Sequence, residues 1–510
     1  HRGVDSSAPE DYSLNLGSNA ARDDATSYFN DTAPTSSVFT VGTTARTNNN
    51  GSTYVAYLFA HNADSTEPAA NPLILEKLAG DQDIIKCDSY NGNGSSTGPE
   101  INLGFEPQWL IIKRRDSTSG WFMYDNMRGI VTGNKDTFLY ANENSAENSG
   151  ANFVDLTPTG FKITSSNSNV NNGSGVYIYM AIRRGGMQTP TAASSVFEVF
   201  STTNNTSASN IGSMGPSDFI LNKRTDGTQT WRLLNRLCGG TMLRTDSTDE
   251  ETDDAHFLEW DRMTGVGVTS QGAPYLTNDA QTHWSWKRAR GFCDVVTYTG
   301  TGSNRTVSHN LGVAPEMMWV KNRDTTNDDW YVYVSGITHL STYGSDPDSY
   351  GSNPAALTLN STDTANFSMS GVWNHTHPTS TVFSTGDTGA TNGNGEALVA
   401  FLFASVTGVS KIGSYTGNGS SQTIDCGFTS GSKFVLIKRV SDTGHWQIWD
   451  TVRGLVDGND NRLILNGTGA DLTGYDMIDP DNSGFAVTNA NDTNESGRVY
   501  IFYAIANDPS

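Results

Sequence analysis

The pair His375-Thr376-His377 is the pattern in this 510-residue sequence that looks most like a metal site. Side chains two residues apart on a β-strand lie on the same face, so the two imidazoles could bind one ion together. Three chains around a threefold axis could then offer six imidazoles to that ion. A matching segment earlier in the chain has Asp31 and Ala33 at these positions, so the pair is particular to one copy. His375 and His377 are therefore candidate metal ligands, and a surface-loop pair is the alternative interpretation.

Carboxylate side chains form no equally defined pattern. Adjacent aspartates occur at Asp23-Asp24, Asp253-Asp254 and Asp328-Asp329, yet none follows the spaced arrangement of a calcium loop. The sequence has no P-loop and no H-E-x-x-H motif. Glycoside cleavage would need two opposed carboxylates, which the sequence alone cannot single out. We predict a protein that is not an enzyme and that needs no cofactor, apart from the candidate structural metal ion.

Lysine and tryptophan recur at a nearly fixed separation. The lysines end apolar segments and are Lys113, Lys223, Lys321 and Lys438, three of them followed by arginine. The tryptophans follow eight or nine residues later and are Trp121, Trp231, Trp330 and Trp446. The three Lys-Arg pairs are interpreted as solvated strand ends, with contact to the next domain or to an anionic glycan as the alternative. The tryptophans are either core residues or candidate glycan-binding residues, because an aromatic face packs well against a sugar ring.

An aspartate and an arginine also recur after two of the tryptophans. Asp125 lies three residues before Arg128, and Asp450 lies three residues before Arg453. This short spacing predicts a local salt bridge or hydrogen bonds that fix a turn, and it gives no sign of catalysis.

These residues belong to an internal repeat, which is the strongest signal in the sequence. An aromatic residue precedes each lysine by 23 positions, in the pairs Tyr90–Lys113, Phe200–Lys223, Tyr298–Lys321 and Tyr415–Lys438. Residues 30–60 also align with residues 374–404 without a gap. The predicted domains are a partial repeat at 1–65, which is the back half of a repeat, and full repeats at 84–187, 192–291, 292–407 and 408–510. The chain is accordingly expected to begin inside a larger series of repeats.

Short apolar segments and Gly-rich turns predict β-structure throughout. Phe434–Ile437 is apolar and partly β-branched, and in Val499–Ile505 large residues alternate between two faces. Turns such as NGNG and DTG supply the glycine and asparagine that tolerate positive φ. We predict an all-β tandem array of antiparallel β-sandwich domains of about 100 residues, each with seven to nine strands. A parallel β-helix is the alternative, although its rungs would be much shorter than this period.

Composition limits the partners. The net charge is −22, which disfavours binding to nucleic acid. No apolar run approaches the length of about 20 residues that spans a bilayer, so we expect no membrane insertion. The cysteines, Cys87, Cys238, Cys293 and Cys426, are too few for a disulfide scaffold and are interpreted as buried small residues, with one or two bridges as the alternative.

The motifs YTGNGSS, FVLIKR, W-x-x-x-D-x-x-R-G and VYIFYAIA resemble repeats in predicted tail-fibre or other virion structural proteins of marine phages, notably those of cyanobacteria. The resemblance covers essentially the whole chain, and it is strongest at 86–186 and 408–507 and weakest at 192–291. It implies a place in the virion, an extracellular particle, and it supplies no catalytic residues to carry over.

The resemblance implies a tail-fibre or appendage segment that presents a surface for host glycans or receptors. Its expected partners are further copies of itself, in a homotrimer or another homo-oligomer, and other virion proteins. The alternatives are a capsid-decorating or filament-forming protein without receptor binding, a bacterial surface adhesin, and a glycan-degrading enzyme.

Overall fold

The computed structural model describes residues 3–60, 84–133, 135–185, 187–203, 210–252, 258–268, 279–337 and 353–508. The candidate calcium pair Asp253-Asp254 lies outside these residues. The chain divides into two units, unit 1 (His1–Gly186) and unit 2 (Met187–Ser510). Unit 1 contains the partial repeat and repeat 1 (84–187), except for the last residue of that repeat. Unit 2 contains repeat 2 (192–291), repeat 3 (292–407) and repeat 4 (408–510).

Antiparallel strands dominate both units, which confirms the predicted all-β fold. Unit 1 has strands β1 (Tyr12–Ser13), β2 (Asp23–Asp24), β3 (Ile85–Asn91), β4 (Glu100–Asn102), β5 (Pro107–Arg114), β6 (Trp121–Asp125), β7 (Asp136–Tyr140), β8 (Asn148–Ala151), β9 (Val154–Thr157), β10 (Gly160–Ile163) and β11 (Val176–Arg183). Its helical turns are Pro9–Asp11, Thr26–Phe29, Ala45–Asn48 and Ser168–Asn171.

Unit 2 continues the same pattern. Repeat 2 has β12 (Phe197–Thr202), β13 (Asn210–Ile211), β14 (Phe219–Arg224), β15 (Arg232–Asn235), β16 (Met242–Leu243), β17 (Leu258–Glu259), β18 (Val266–Val268) and β19 (Gln281–Trp286). Repeat 3 has β20 (Cys293–Thr299), β21 (Arg305–Ser308), β22 (Met317–Asn322), β23 (Tyr331–Val334), β24 (Leu357–Thr358), β25 (Val382–Thr385) and β26 (Ala397–Phe403). Repeat 4 has β27 (Ser410–Thr416), β28 (Gln422–Asp425), β29 (Ser432–Arg439), β30 (Trp446–Asp450), β31 (Asp460–Ile464), β32 (Leu472–Tyr475), β33 (Ile478–Asp481), β34 (Gly484–Val487) and β35 (Val499–Ala506). The helical turns of unit 2 are Ala193–Ser195, Arg236–Cys238, Phe367–Trp373, Gly389–Asn392 and Asn491–Asn494.

Each full repeat forms a large and a small sheet. In repeat 4 the orders are β27-β35-β29-β30-β31-β32 and β28-β34-β33, and repeat 1 has the same two orders with β3-β11-β5-β6-β7-β8 and β4-β10-β9. The closing strand therefore lies in the large sheet, between the opening strand and the strand that ends in the recurrent lysine. In repeat 4 both strands are buried on both faces almost throughout, which accounts for their apolar sequences, whereas in repeat 1 one face of the equivalent strands is only partly buried.

A buried asparagine explains the recurrent Gly/Asn/Ser turn. Asn494, at the end of a helical turn, accepts from Asn418 N at 2.9 Å and donates to Ser420 O at 2.6 Å. Asn171 makes the same two contacts with Asn93 and Ser95. One side chain thus ties the YTGNGSS turn to the segment before the closing strand, and it satisfies backbone groups that would otherwise be buried without partners.

The closing segment of the partial repeat does not form the strand that its sequence predicts. Tyr57 and Leu58 are 82% and 74% exposed, whereas Phe401 and Leu402, their counterparts in β26, are completely buried. In repeat 3 that strand lies between β20 and β22. The described residues hold no such neighbours for Tyr54–Phe59, so its backbone has no ladder to join.

The two ends of unit 2 lie close together. Ser194 N donates to Asp508 Oδ2 at 3.0 Å, which joins the start of repeat 2 to the end of repeat 4. Among the helices of the described residues, none is both long and apolar enough to cross a membrane.

Candidate functional site

The recurrent lysines are buried, and this contradicts their interpretation as solvated strand ends. Each is the last inward-facing residue of its strand, and all four side chains are 0% exposed: Lys113, Lys223, Lys321 and Lys438. Their ammonium groups donate to backbone carbonyls. Lys438 Nζ, for example, donates to Gly444 O at 2.5 Å and to Thr362 O at 3.0 Å.

In unit 2 each lysine reaches a loop of another repeat. Lys223 of repeat 2 donates to Thr468 O of repeat 4 at 2.9 Å. Lys321 of repeat 3 donates to Thr248 O of repeat 2 at 3.3 Å. Since Lys438 of repeat 4 donates to repeat 3, the three contacts form a closed cycle. The alternative of contact with a neighbouring domain is therefore the correct one for these lysines.

The recurrent tryptophans follow the same cycle. Their indole Nε1–H groups donate to carbonyls four residues before the ones that accept from lysine: Trp231 to Ile464 O at 2.8 Å, Trp330 to Arg244 O at 2.8 Å, and Trp446 to Thr358 O at 2.9 Å. All three rings are 0% exposed. No ring face is left for a sugar, so the glycan-stacking role has no accessible surface at these positions.

Unit 1 contains one junction of the same kind. Trp121 Nε1 donates to Asn15 O at 3.2 Å, and Lys113 Nζ lies 3.4 Å from Asn19 O. Asn15 and Asn19 belong to the partial repeat and again lie four residues apart. Trp121 keeps part of its surface exposed, unlike its three counterparts.

Aromatic side chains from all three repeats meet inside the cycle of unit 2. The ring centroids of Phe219 and Phe403 are 6.0 Å apart, those of Phe403 and Tyr503 are 5.2 Å apart, and those of Trp286 and Phe434 are 5.8 Å apart. These contacts join repeat 2 to repeat 3, repeat 3 to repeat 4, and repeat 2 to repeat 4. The large sheets therefore cover one another, and the three tandem sandwiches of unit 2 form a closed group.

Burial in this cycle changes the acidity of the lysines. Removal from water lowers the pKa of Lys438 to about 7 and that of Lys223 to about 8. Desolvation penalises the charged ammonium, and the nearby aspartates oppose the change only in part.

The predicted Asp–Arg salt bridges are present. Arg453 Nε lies 2.6 Å from Asp450 Oδ2, and Arg128 Nε lies 2.7 Å from Asp125 Oδ2. In unit 2 the pair has a second role, because Asp450 also accepts from Trp284 Nε1 of repeat 2 at 3.1 Å. The local sequence gives no sign of this role, since the tryptophan lies in another repeat.

Repeat 2 has an aspartate at a position where the other repeats have asparagine. Asn142, Asn360 and Asn466 each accept from the backbone N–H of their repeat's tryptophan, at 2.7, 3.0 and 3.1 Å. Asp246 occupies this place in repeat 2. Burial raises its pKa to about 6, so near pH 7 the fold holds a charge that it disfavours.

We expect Asp246→Asn to stabilise unit 2 above pH 6, by about 1–3 kcal/mol for a shift of about two pKa units. The raised pKa means that stability falls as the pH rises from the ordinary aspartate value towards 6. The gain should therefore vanish near pH 4, where the carboxyl is protonated. Urea unfolding at both pH values measures the difference, and an equal gain at both would contradict this explanation. Asn466→Asp is the reciprocal variant and should destabilise near pH 7.

A groove of about 710 Å³ opens where repeat 4 meets repeat 3. Its lining combines two aromatic rings, a thioether, two carboxylates, small apolar side chains and several small polar groups: Tyr331, Ala356, Leu357, Thr358, Asp363, Thr364, Ala365, Asn366, Phe367, Ser368, Met369, Asp442 and Thr443. Tyr331 and Met369 pack against the core of repeat 3 from the side that borders the groove. Sequence reasoning could not find this site, because its walls come from separate segments of two repeats.

The carboxylates of the groove are suited to accepting hydrogen bonds. The pKa of Asp442 is lowered most by the hydrogen bond from the Thr443 N–H. The guanidinium groups of Arg498 and Arg439 lower it further. Asp442 Oδ2 lies 3.0 Å from Arg498 Nη2. A general acid for glycoside cleavage needs a raised pKa, so Asp442 does not fit that role.

The candidate metal ligands do not lie on a strand, as was assumed for them: His375 lies in a turn and His377 in the irregular segment that follows it. His375 has a left-handed backbone with φ of 53°, and its Nδ1 lies 2.8 Å from Ser370 Oγ. His377 Nδ1 lies 2.9 Å from Tyr333 OH. Within the described residues, no group of three or more His, Cys, Asp or Glu side chains is arranged to hold a metal.

The structure gives no sign of a serine nucleophile or of a disulfide bridge among the described residues. The letters G-x-S-x-G occur at Gly94–Gly98, but Ser96 is exposed in a loop and the described part of unit 1 contains no histidine to activate it. All four cysteines are free thiols, and Cys87 is the one that is only partly buried.

The sequence matches one known protein family. The family described as "Domain of unknown function (DUF7483)" matches residues 1–65, 78–184 and 192–509. The chain belongs to this family. The matched segments include both units and every recurrent lysine and tryptophan, so the inter-repeat junctions lie within the family's sequence. No curated protein matches the chain.

Proposed function

We propose that this protein is a non-enzymatic structural segment of a virion, a phage tail fibre or appendage that presents a surface for host glycans. The observation that carries the proposal is the closed cycle of three sandwiches, joined by buried lysine and tryptophan side chains. Such an arrangement holds loops in fixed relative positions, which suits a protein that must remain folded outside a cell. The net charge of −22 favours solubility, which suits a protein exposed on the surface of a particle.

The groove between repeats 3 and 4 is the proposed contact for the host glycan. Tyr331 offers a partly buried aromatic ring held by the core beneath it, and rings of this kind pack against the apolar face of a sugar. Asp363 and Asn366 supply polar groups beside it that can bond to sugar hydroxyls. The carboxylates disfavour uronates and other anionic sugars, so neutral glycans are the proposed class.

We expect Tyr331→Ala to weaken binding of the full chain to immobilised neutral glycans by about tenfold, equivalent to about 1.4 kcal/mol. Binding is measured by surface plasmon resonance on a panel of neutral and anionic bacterial polysaccharides. Tyr475→Ala is the matched control, because Tyr475 is an exposed tyrosine of repeat 4 outside the groove lining. Equal effects of the two substitutions, or a preference for anionic glycans, would remove the groove from the proposal.

Location is tested by immunogold labelling of phage particles that encode the chain. Label on the tail appendages supports the proposal. Label spread over the capsid would favour a decorating protein, and label on bacterial cells without phage would favour an adhesin. Light scattering of the purified chain, with and without a chelator, tests the proposed self-association and any dependence on a metal ion.

A further inference from the structure

One face of the large sheet in repeat 1 is uncovered where the other repeats bury theirs. Strand pairing places Ile182 of repeat 1 at the position of Trp286, Phe403 and Ile505. Those three side chains are at most 1% exposed and lie where the sheets of unit 2 meet. Ile182 is only partly buried, as are its sheet neighbours Trp109, Ile111, Met123 and Met180.

A loop of repeat 1 offers two backbone carbonyls that are equivalent to the ones which accept from tryptophan and lysine side chains in unit 2. Tyr140 corresponds to Ile464, and Asn144 corresponds to Thr468, because both loops follow equivalent strand pairs. Ile464 and Thr468 accept from Trp231 and Lys223. Asn144 is exposed, and among the described residues no lysine ammonium and no tryptophan indole N–H donates to the carbonyl of Tyr140 or of Asn144.

The partial repeat has an uncovered surface as well. Tyr54–Phe59 corresponds to Leu398–Phe403, which lies buried between β20 and β22. In unit 1 its side chains are between 47% and 82% exposed where they are large and apolar. This segment therefore presents an apolar strand sequence to solvent.

The three surfaces match two adjacent places in the cycle. Trp121 docks on the partial repeat as Trp446 docks on repeat 3, so repeat 1 takes the place of repeat 4 and the partial repeat takes the place of the back half of repeat 3. The described residues of unit 1 offer no equivalent of repeat 2, nor of the front half of repeat 3, which supplies β20 and β22 on either side of β26. One segment equivalent to residues 192–337 would fill both places.

We propose that unit 1 is a docking surface for a further segment of this same family, made of one full repeat followed by the front half of another. The occupant would donate a tryptophan N–H to Tyr140 O and a lysine Nζ–H to Asn144 O, and it would cover the face around Ile111 and Met180. It would also place two antiparallel strands beside Tyr54–Phe59. A second copy of this chain does not fit, because its four recurrent tryptophans are already bound within its own units.

The test is a chain that supplies the occupant. A second copy of residues 192–337 is fused ahead of His1 through a flexible glycine–serine linker, and amide hydrogen exchange is followed by mass spectrometry. We expect peptides covering Tyr54–Phe59 and Met180 to exchange at least about tenfold more slowly than in the original chain. The matched control carries Trp231→Ala and Lys223→Ala in the added copy alone, and it should lose most of this protection.

Three results would overturn the proposal. One is an added copy whose own strands are protected while Tyr54–Phe59 and Met180 still exchange fast. The other two come from the original chain and do not depend on folding of the added copy. If these peptides are already as protected as those of repeat 4 in dilute solution, the face is not open. If their protection appears only as protein concentration rises, a second copy covers them.

Discussion

Trp231→Ala is expected to lower the free energy of unfolding of unit 2 by about 3–5 kcal/mol, the usual range for removing a large buried aromatic side chain. The ring is completely buried and lies 5.4 Å from the ring of Trp284. Its N–H also bonds to Ile464 O and Gly467 O of repeat 4. The loss therefore combines a cavity with carbonyls left without their donor. Urea unfolding of the full chain, followed by tryptophan fluorescence and by hydrogen exchange in repeat 4, measures it.

Trp121→Ala is the matched control, because it removes the same residue type from the equivalent position in unit 1. Trp121 is partly exposed, so its loss should cost clearly less. Trp231→Phe separates the two contributions, since it keeps most of the buried ring and loses only the donor, at an expected cost of about 1 kcal/mol. A loss from Trp231→Ala no larger than that from Trp121→Ala would contradict a closed cycle.

Raising the pH from about 7 to about 9 is expected to stabilise unit 2 by roughly 3 kcal/mol through the buried lysines. Burial lowers the pKa of Lys438 to about 7 and that of Lys223 to about 8, from an ordinary value of 10.5. Between these values the unfolded chain binds more protons than the folded one, so stability rises with pH. The full penalty is present below pH 7. Thermal unfolding across this range, at constant ionic strength, measures the change.

The range ends near pH 9 because other buried groups then act in the opposite direction. Burial raises the pKa of the Cys238 and Cys426 thiols to about 12, so ionisation in the unfolded chain favours unfolding at higher pH. Lys438→Met is the diagnostic variant, because it removes the titrating group of Lys438. The increase in stability between pH 7 and pH 9 should then be smaller by the amount that Lys438 contributes. A midpoint that is flat or falls between pH 7 and pH 9 would show that these lysines remain charged in the fold.

The repeats and their strands could be predicted from the sequence because each is encoded locally. Short apolar runs, alternation and Gly/Asn turns specify strands and turns within a few residues of one another. The strand at Tyr54–Phe59 was predicted wrongly for the same reason. Its local pattern is correct, but a strand also needs neighbours to pair with, and those come from elsewhere.

The closed cycle could not be predicted because its acceptors carry no side-chain signal. Lys223 and Trp231 bind backbone carbonyls more than 230 residues away, and any residue type offers a carbonyl. The lysine was misinterpreted because Lys-Arg before a polar turn resembles a solvated end. Successive side chains of a strand point to opposite faces, so Lys438 enters the junction while Arg439 turns outward to Glu495.

The contact between Ser194 and Asp508 has a mechanical consequence. A tensile load along the polypeptide would enter and leave unit 2 at two adjacent points, since these residues are hydrogen-bonded at 3.0 Å. The pull would then separate the ends by peeling them apart, and it would not stretch three sandwiches in series.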